Sequence, residues 1–385
     1  LYDTKTTKNI EQKLIKKNRN GFLLMMRCAS VVLNCAKKKL SGRLWCVAGP
    51  GNNGGDAISV ASLAIIENID VRCIKLLPGD KESSLAYSFS KNINLKIEEF
   101  LPDLRDLRQG DVIIDGVFGI GISRPPKGVE LKAIEWINKA RDFNLNVISI
   151  DVPSGLNATN GQPFGAVVKA DTTVMCLTRK QGCYTGQAPE LAGHLIFSDL
   201  GVGKRSQYHK GNSFLLCSEN LVPPKRSPVS HKGDFGNVLV LGGWGGMEGA
   251  GFLAGIASLR VGAGKVYICG PSSIRLPLEL INIPRNIDEF ESIISKVDVI
   301  LAGPGMGVNA DKFIELAWNS DLPLVLDADG LKWLSRRGLK ERRKSFWFGT
   351  PHHGEATALL GEKLVDRFEI LSKLYKKYGG KWVLK

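Results

Sequence analysis

Two α/β domains in tandem, each a parallel sheet covered by helices, are what this sequence predicts, and three observations predict them. Short β-branched or apolar runs recur, each followed by a glycine-rich turn and a segment of helical period, the pattern of βα units in a parallel sheet. The length of 385 residues exceeds a usual single domain. A polar stretch from Ser218 to Lys232, with Pro223, Pro224 and Pro228, divides the chain, and consecutive prolines forbid both helix and ladder pairing.

In the first half the strands are expected at Leu44 to Ala48, Val71 to Leu77, Val112 to Asp115, Val147 to Asp151 and Thr172 to Leu177. In the second half they are expected at Val238 to Leu241, Lys265 to Cys269, Val299 to Ala302, Leu324 to Asp327, Phe346 to Thr350 and Trp382 to Leu384. The domains then run from 1 to 217 and from 233 to 385, with a linker at 218–232. The sequence stops at Lys385 directly after a predicted strand. A sheet whose final strand has no following element leaves an apolar face uncovered, so the second domain is expected to be incomplete here.

Composition narrows the function classes. Apolar residues make up 43% and charged residues 23%, which excludes a disordered chain. No apolar run approaches the roughly 20 residues of a spanning helix. The polar, lysine-rich start at Leu1 has no apolar segment of a secretory signal, so a cytoplasmic location is expected and no membrane partner. The eight cysteines, Cys28, Cys35, Cys46, Cys73, Cys176, Cys183, Cys217 and Cys269, form no Cys-x-x-Cys pair. They read as buried free thiols in a reducing compartment, with metal and disulfide roles disfavoured. The formal charge of +14 raises nucleic-acid binding. Its lysines and arginines are spread in short runs such as Lys37 to Lys39 and Arg342 to Lys344, without interleaved aromatics, so no nucleic-acid partner is expected. A basic surface also suits ligands that carry several phosphates. Homo-oligomerisation is left open.

The first candidate site follows the first strand: Gly49-Pro50-Gly51-Asn52-Asn53-Gly54-Gly55-Asp56, then a helical pattern from Ala57 to Glu67. Glycines let backbone approach a ligand, and a helix N-terminus offers free N–H groups to a phosphate. Two further strands end in Asp115-Gly116-Val117-Phe118-Gly119-Ile120-Gly121 with Arg124, and in Asp151-Val152-Pro153-Ser154-Gly155. Ligands of open parallel sheets bind beyond the carboxyl ends of strands, so the three segments are expected to converge on one crevice. Oxygens of Asn53, Asp115 and Ser154 suit a hard cation, and a single carboxylate suits a weakly charged one. The bland reading of Asp115 is a helix cap or turn residue.

These segments resemble the NAD(P)HX epimerase family of the YjeF N-terminal type, over most of residues 1–215, on a Rossmann-like three-layer fold. The resemblance implies substrate binding by Asn52, Asn53, Gly54, Gly55 and Asp56, by Gly119, Ile120, Gly121, Ile122, Ser123, Arg124 and Pro125, and by Asp151. It implies potassium at Asn53, Asp115 and Ser154, an acid/base role for Asp151 beside the hydrated ring, and an assisting lysine at Lys180. The bland reading of Lys180 is a solvated loop lysine. Met26, in Leu24-Met25-Met26-Arg27-Cys28-Ala29, stands where the family usually has a glutamate.

The second half opens with His231-Lys232-Gly233-Asp234-Phe235-Gly236, a strand, and Gly242-Gly243-Trp244-Gly245-Gly246 before a small-residue helix from Ala250 to Val261. Later strands end in Gly303-Pro304-Gly305-Met306-Gly307, in Asp327-Ala328-Asp329-Gly330 and in Thr350-Pro351-His352-His353-Gly354-Glu355. Glycines and carboxylates at successive strand ends fit a nucleotide-handling domain. For Asp327 and Asp329 a turn and helix cap is the bland alternative. The set resembles the ribokinase-like, ADP- or ATP-dependent dehydratases of hydrated NAD(P)H over residues 230–385. That implies substrate contacts at Ala250, Gly305 and His352, and a nucleotide brought with magnesium that phosphorylates the ring hydroxyl before phosphate is lost. The family's Gly-Thr-Gly-Asp segment is not present in the sequence. The dehydratase reaction is therefore expected to be inactive in the chain as given.

Together the halves imply a bifunctional repair enzyme acting on NAD(P)HX. The alternatives are a ribokinase-like small-molecule kinase with an accessory nucleotide-binding domain, and a non-catalytic dinucleotide-binding protein, which has no need of Asp151. An ordinary dehydrogenase is disfavoured because the first turn is not Gly-x-Gly-x-x-Gly.

Overall fold

A computed structural model describes residues 1–385 except 19–20, 78–80, 204–210, 224, 271–276 and 339–341, so Pro224 of the expected linker lies outside the described residues. The chain divides into two compact units, Leu1–Leu221 and Val222–Lys385.

The first unit runs α1 (Thr4–Asn18), α2 (Gly21–Lys37), β1 (Leu44–Ala48), α3 (Asn52–Ile66), β2 (Val71–Lys75), α4 (Lys81–Asn92), β3 (Ile97–Glu98), β4 (Val112–Gly116), α5 (Gly128–Asp142), β5 (Asn146–Ile150), β6 (Thr172–Cys176), α6 (Ala188–Leu191) and β7 (His194–Ser198). Its seven strands are ordered β3-β2-β1-β4-β5-β6-β7, and every recorded pairing is parallel. In β1 all five residues are buried. Leu44, Cys46 and Ala48 pack into one core with α1, α2 and α3, while Trp45 and Val47 enter a second core with α5. Covering both faces makes three layers, and it explains why such strands read as unbroken apolar runs.

The second unit runs β8 (Asn237–Leu241), α7 (Glu248–Val261), β9 (Lys265–Cys269), β10 (Ile281–Ile283), α8 (Ile287–Ile294), β11 (Val299–Ala302), α9 (Asp311–Asn319), β12 (Leu324–Leu326), α10 (Asp329–Arg337), β13 (Trp347–Gly349), α11 (His353–Leu360), α12 (Arg367–Tyr378) and β14 (Lys381–Trp382). Its parallel sheet has the order β10-β9-β8-β11-β12-β13-β14. Leu239 and Leu241 face one core with α8 to α12, and Val240 faces a smaller one with α7.

The fold class is as expected, and the differences lie at strand ends and in three short strands not expected from the sequence, β3, β7 and β10. The strand expected to reach Asp151 stops at Ile150, and the one expected to reach Leu177 stops at Cys176. Asp151 and Leu177 have φ of 69° and 68°, in the left-handed region, where a strand cannot continue. Among the described residues no helix is long and apolar enough to cross a membrane, and all eight cysteines are free thiols.

Candidate active site

In the first sheet the strand order reverses between β1 and β4, the point where open parallel sheets form a ligand crevice. A cavity of about 500 Å³ opens there. It is lined by Gly51, Asn52, Asn53 and Asp56 at the start of α3, by Val117 to Arg124 after β4, by Asp151 after β5, and by Cys176, Leu177 and Lys180 after β6. The three predicted segments thus border one space. Gly54, Gly55 and Pro125 are not among its lining residues. Gly54 has a packing role instead: a Cβ there would lie 1.8 Å from the carbonyl oxygen of Gly49. The glycine lets the first turn of α3 sit directly on the turn that follows β1. No side chain caps α3, so its first N–H groups are available to an anion.

Asp151 and Lys180 meet at the cavity floor. Asp151 is the central residue of a tight turn in which the Val152 N–H donates to the Ile150 carbonyl at 2.8 Å. Leu177 repeats the device after β6, with Thr178 N–H donating to the Cys176 carbonyl at 2.8 Å. Such turns with positive φ are rare and cost on the order of 1–3 kcal/mol each, a strain typical of functional positions. Lys180 is not the solvated loop lysine of the bland reading. Its side chain is 1% exposed, and the ammonium donates to Asp151 Oδ1 and to the Cys176 carbonyl. Its backbone is fixed by Tyr2, whose N–H donates to the Arg179 carbonyl and whose carbonyl accepts from Gln181 N–H, both at 2.9 Å. Burial lowers the lysine pKa, but the adjoining Asp151 carboxylate outweighs burial and holds the group above its ordinary value.

Asp56 is a second carboxyl group facing this pair. Burial first, and then the negative charges of Asp151 and Glu11, push its pKa well above the usual carboxylate range, against the pull of Lys180 and a hydrogen bond from Cys28. A folded pKa above the unfolded one means the native state keeps a proton that the unfolded chain releases. Stability is therefore lost as pH rises from the ordinary carboxylate value upward. Asp56→Asn removes that cost. The variant is expected to melt above the unmodified protein at about pH 8, with the difference closing toward about pH 4, near the ordinary aspartate value. Thermal melts across this range check it, and equal melting at the upper end contradicts it.

Asp115 and Ser154 lie beneath the cavity, both fully buried. Asp115 Oδ1 accepts from Ser154 Oγ at 2.5 Å and Val117 N–H at 3.2 Å; Oδ2 accepts from Ser149 Oγ at 2.7 Å and Ser154 N–H at 2.9 Å. No lysine or arginine among the described residues pairs with it, and burial raises its pKa despite these bonds. Asn53 packs beside the turn after Asp115, against Gly119, and its buried Nδ2 has no partner. The buried Asp115 carboxyl is thus met only by neutral donors, and Asn53 could offer a cation its Oδ1 but not the orphaned Nδ2, which is itself a donor.

In the second sheet the order reverses between β8 and β11, and the glycine turns after these strands interlock. Gly243 N–H donates to the Pro304 carbonyl at 2.9 Å and Trp244 N–H to that of Gly305 at 2.7 Å. Gly305 has φ of 61°, and a Cβ on it would come within 3.2 Å of Ala250 Cβ, so these two predicted contacts are neighbours. Space stays open beside Gly245, Gly246 and Gly307. Asp329 is more than a cap: its Oδ2 accepts the N–H groups of Met306 at 3.0 Å and Gly307 at 2.9 Å, pinning that turn. Asp327 accepts from Thr350 Oγ1 at 2.8 Å and Lys385 Nζ at 2.7 Å. His352 stands two strands away, after β13. Its Nδ1 accepts from the Gly354 and Glu355 N–H groups at 3.0 and 3.3 Å, which caps α11 and leaves the proton of the neutral ring on Nε2.

Sequence reasoning missed one wall of the first cavity. Thr7, Lys8, Glu11 and Ile15 of α1 line it, as do Cys28 on α2 and Glu130 on α5. The signal was the buried series Thr7, Ile10, Leu14 at helical spacing, masked by surrounding lysines. Glu130 is buried and holds the Arg124 guanidinium with two bonds of 2.9 Å.

Two family models match the chain: the one for the YjeF-related protein N-terminus over residues 22–182, and the one for NAD(P)H-hydrate dehydratase over residues 238–385. Curated proteins named bifunctional NAD(P)H-hydrate repair enzyme Nnr are similar throughout. That of Coxiella burnetii is 32% identical over 409 residues, spanning 100% of this chain and 81% of its own length. That of Escherichia coli is 32% identical over 94% of this chain and 72% of its own length. Among solved structures, the ADP/ATP-dependent NAD(P)H-hydrate dehydratase of Bacillus subtilis, co-crystallised with ATP and magnesium, is 26% identical over 42% of this chain and 62% of its own, with a TM-score of 0.36.

Proposed function

The chain belongs to the family of bifunctional NAD(P)H-hydrate repair enzymes, and from that premise we propose how its two units divide the work. The first equilibrates the R and S epimers of NAD(P)HX in the cavity beyond β1 and β4. The turns beyond β8 and β11 in the second are where we place the S epimer for the ADP- or ATP-dependent dehydration that the family carries out. The observation that carries the epimerase site is the Asp151–Lys180 pair, its lysine buried and its aspartate held in a strained turn facing a cavity at the sheet's switch point.

Epimerisation requires a bond at the hydroxyl-bearing ring carbon to break and re-form on the other face. The Asp151 carboxylate takes the proton of the ring hydroxyl as the bond from that carbon to the ring nitrogen breaks and leaves its electron pair on nitrogen. The nitrogen then attacks the other face of the resulting aldehyde, Asp151 returns the proton to the oxygen, and the Lys180 ammonium holds the carboxylate in place. Asn52, Asn53 and Asp56 with the stretch Gly119 to Arg124 bind the rest of the dinucleotide. The uncapped start of α3 meets phosphate, and Arg124, aimed by Glu130, adds a fixed guanidinium. Gly54, Gly55 and Pro125 shape these segments from behind. In the second unit Ala250, Gly305 and His352 hold the S epimer. The open glycines give phosphates backbone to approach, and magnesium arrives on the nucleotide.

Potassium at Asn53, Asp115 and Ser154 would supply a fixed positive charge beneath the substrate and would tie the turns after β1, β4 and β5 together. A ligand that binds only the native state stabilises it. Potassium is therefore expected to raise the melting temperature of the first unit more than sodium or lithium at equal ionic strength. Asp115→Ala is expected to abolish the difference, and identical melting in all three salts contradicts the site.

A further inference from the structure

We propose that Cys28 and Cys176 form a disulfide when the empty epimerase cavity meets a peroxide, and that this modification switches the first site off. The two residues are 148 positions apart in sequence, on α2 and at the end of β6, yet their sulfurs stand 2.9 Å apart, both side chains buried and both lining the same cavity. A disulfide needs about 2.05 Å. Two thiolates sharing a tetrahedral zinc ion, each about 2.3 Å from the metal, stay well apart at close to 4 Å, so this spacing suits covalent bonding and not a metal. The hydrogen bond with Cys176, and then burial, keep the Cys28 thiol protonated far above the ordinary cysteine value, so reaction is slow and depends on an oxidant entering the cavity.

The chemistry balances with hydrogen peroxide as the oxidant. One sulfur attacks a peroxide oxygen, the O–O bond breaks, and a sulfenic acid and one water result. The second sulfur displaces the sulfenic hydroxyl as a second water, and the S–S bond forms. The two sulfurs lose two electrons in all, and the peroxide gains them. A dithiol reverses the step. Closing the gap moves the Cys176 peptide, whose N–H donates to Asp151 Oδ1 at 3.2 Å and whose carbonyl accepts from the Lys180 ammonium. It also removes the Cys28 hydrogen bond to Asp56. Both ends of the acid/base pair are thereby displaced.

The loss of activity rests on the epimerase reading above, whereas the bond itself does not. The full chain is treated with hydrogen peroxide, digested without reduction and mapped by mass spectrometry, and the rate of R/S exchange of NADHX is measured before treatment, after it and after dithiothreitol. A linked pair of peptides holding Cys28 and Cys176 is expected, with at least a tenfold loss of rate that dithiothreitol restores. Saturating NADHX during treatment is expected to slow the linkage severalfold. Cys28→Ser and Cys176→Ser, each compared with its own untreated rate, are expected to lose less than twofold. Absence of the linked peptides overturns the proposal whatever the activity. Linkage with an unchanged rate, or an equal loss in both variants, overturns the switch.

Discussion

Asp151→Asn is expected to slow R/S exchange of NADHX by 10²- to 10⁴-fold, the usual worth of a positioned acid/base group. The amide cannot take the proton, yet it fills the same space and can still accept from the Cys176 N–H. The variant also leaves the Lys180 ammonium buried without its counter-charge. The Asp151 carboxylate holds the lysine pKa above its ordinary value. That contribution to stability is fully present below the unfolded lysine pKa of about 10.4 and is lost only as pH climbs through the higher folded value. Near neutrality the variant therefore forfeits it. Breaking such a pair costs on the order of 3 kcal/mol, and the 16% exposure of the Asp151 side chain keeps the cost at the low end. Circular dichroism at 25 °C establishes that the variant is folded, and chromatographic separation of the epimers gives the rate. A folded variant that keeps its rate within about threefold, far short of the expected loss, contradicts the acid/base role.

Gly54→Ala is expected to lower the stability of the first unit strongly. The new Cβ would meet the Gly49 carbonyl oxygen at 1.8 Å and its carbon at 2.6 Å, and neither can rotate away. Overpacking costs of about 1–3 kcal/mol assume side chains that yield; against backbone the upper end, about 3 kcal/mol, applies. In a domain of this size that lowers the melting temperature by roughly 6–12 °C. Relief requires the start of α3 to lift from the turn after β1, which carries Asn52, Asn53 and Asp56 out of place, so exchange activity is expected to fall as well. Gly121→Ala serves as the control. No atom lies within 4 Å of its would-be Cβ, and a stability change within about 0.5 kcal/mol is expected. Equal melting of the two variants contradicts the packing account.

What the sequence disclosed followed from how locally each feature is encoded. The strand Leu44–Ala48 was legible because a strand buried on both faces must be apolar throughout, and the glycines after it because the first turn of α3 sits directly on that turn. The strand Ile97–Glu98 was not legible, since two residues carry no period. His194–Ser198 lies at the sheet's edge beside β6 and begins at an exposed histidine, so its apolar run is weak. Lys180 shows the deeper limit. A lysine in a loop is normally solvated, and what buries this one is distant in sequence: Tyr2 pairs with its backbone, and Thr7 Oγ1 and Thr178 Oγ1 lie 2.9 Å apart across 171 positions. The approach of Cys28 to Cys176 is of the same kind. Such contacts exist only once the fold has brought α1 and α2 over the ends of β5 and β6. The positive φ of Asp151 was likewise hidden, because nothing local requires an aspartate there to leave the strand.

The central claim is that the cavity holding Asp151 and Lys180 interconverts the epimers of hydrated nicotinamide cofactor. The most direct test supplies the purified full chain with R-NADHX alone, without any nucleotide, and separates the epimers over time. S-NADHX is expected to accumulate far faster than in buffer until the two forms stop changing, and the approach from pure S-NADHX is expected to reach the same ratio. R-NADHX that stays at its buffer rate in the presence of folded protein would contradict the account.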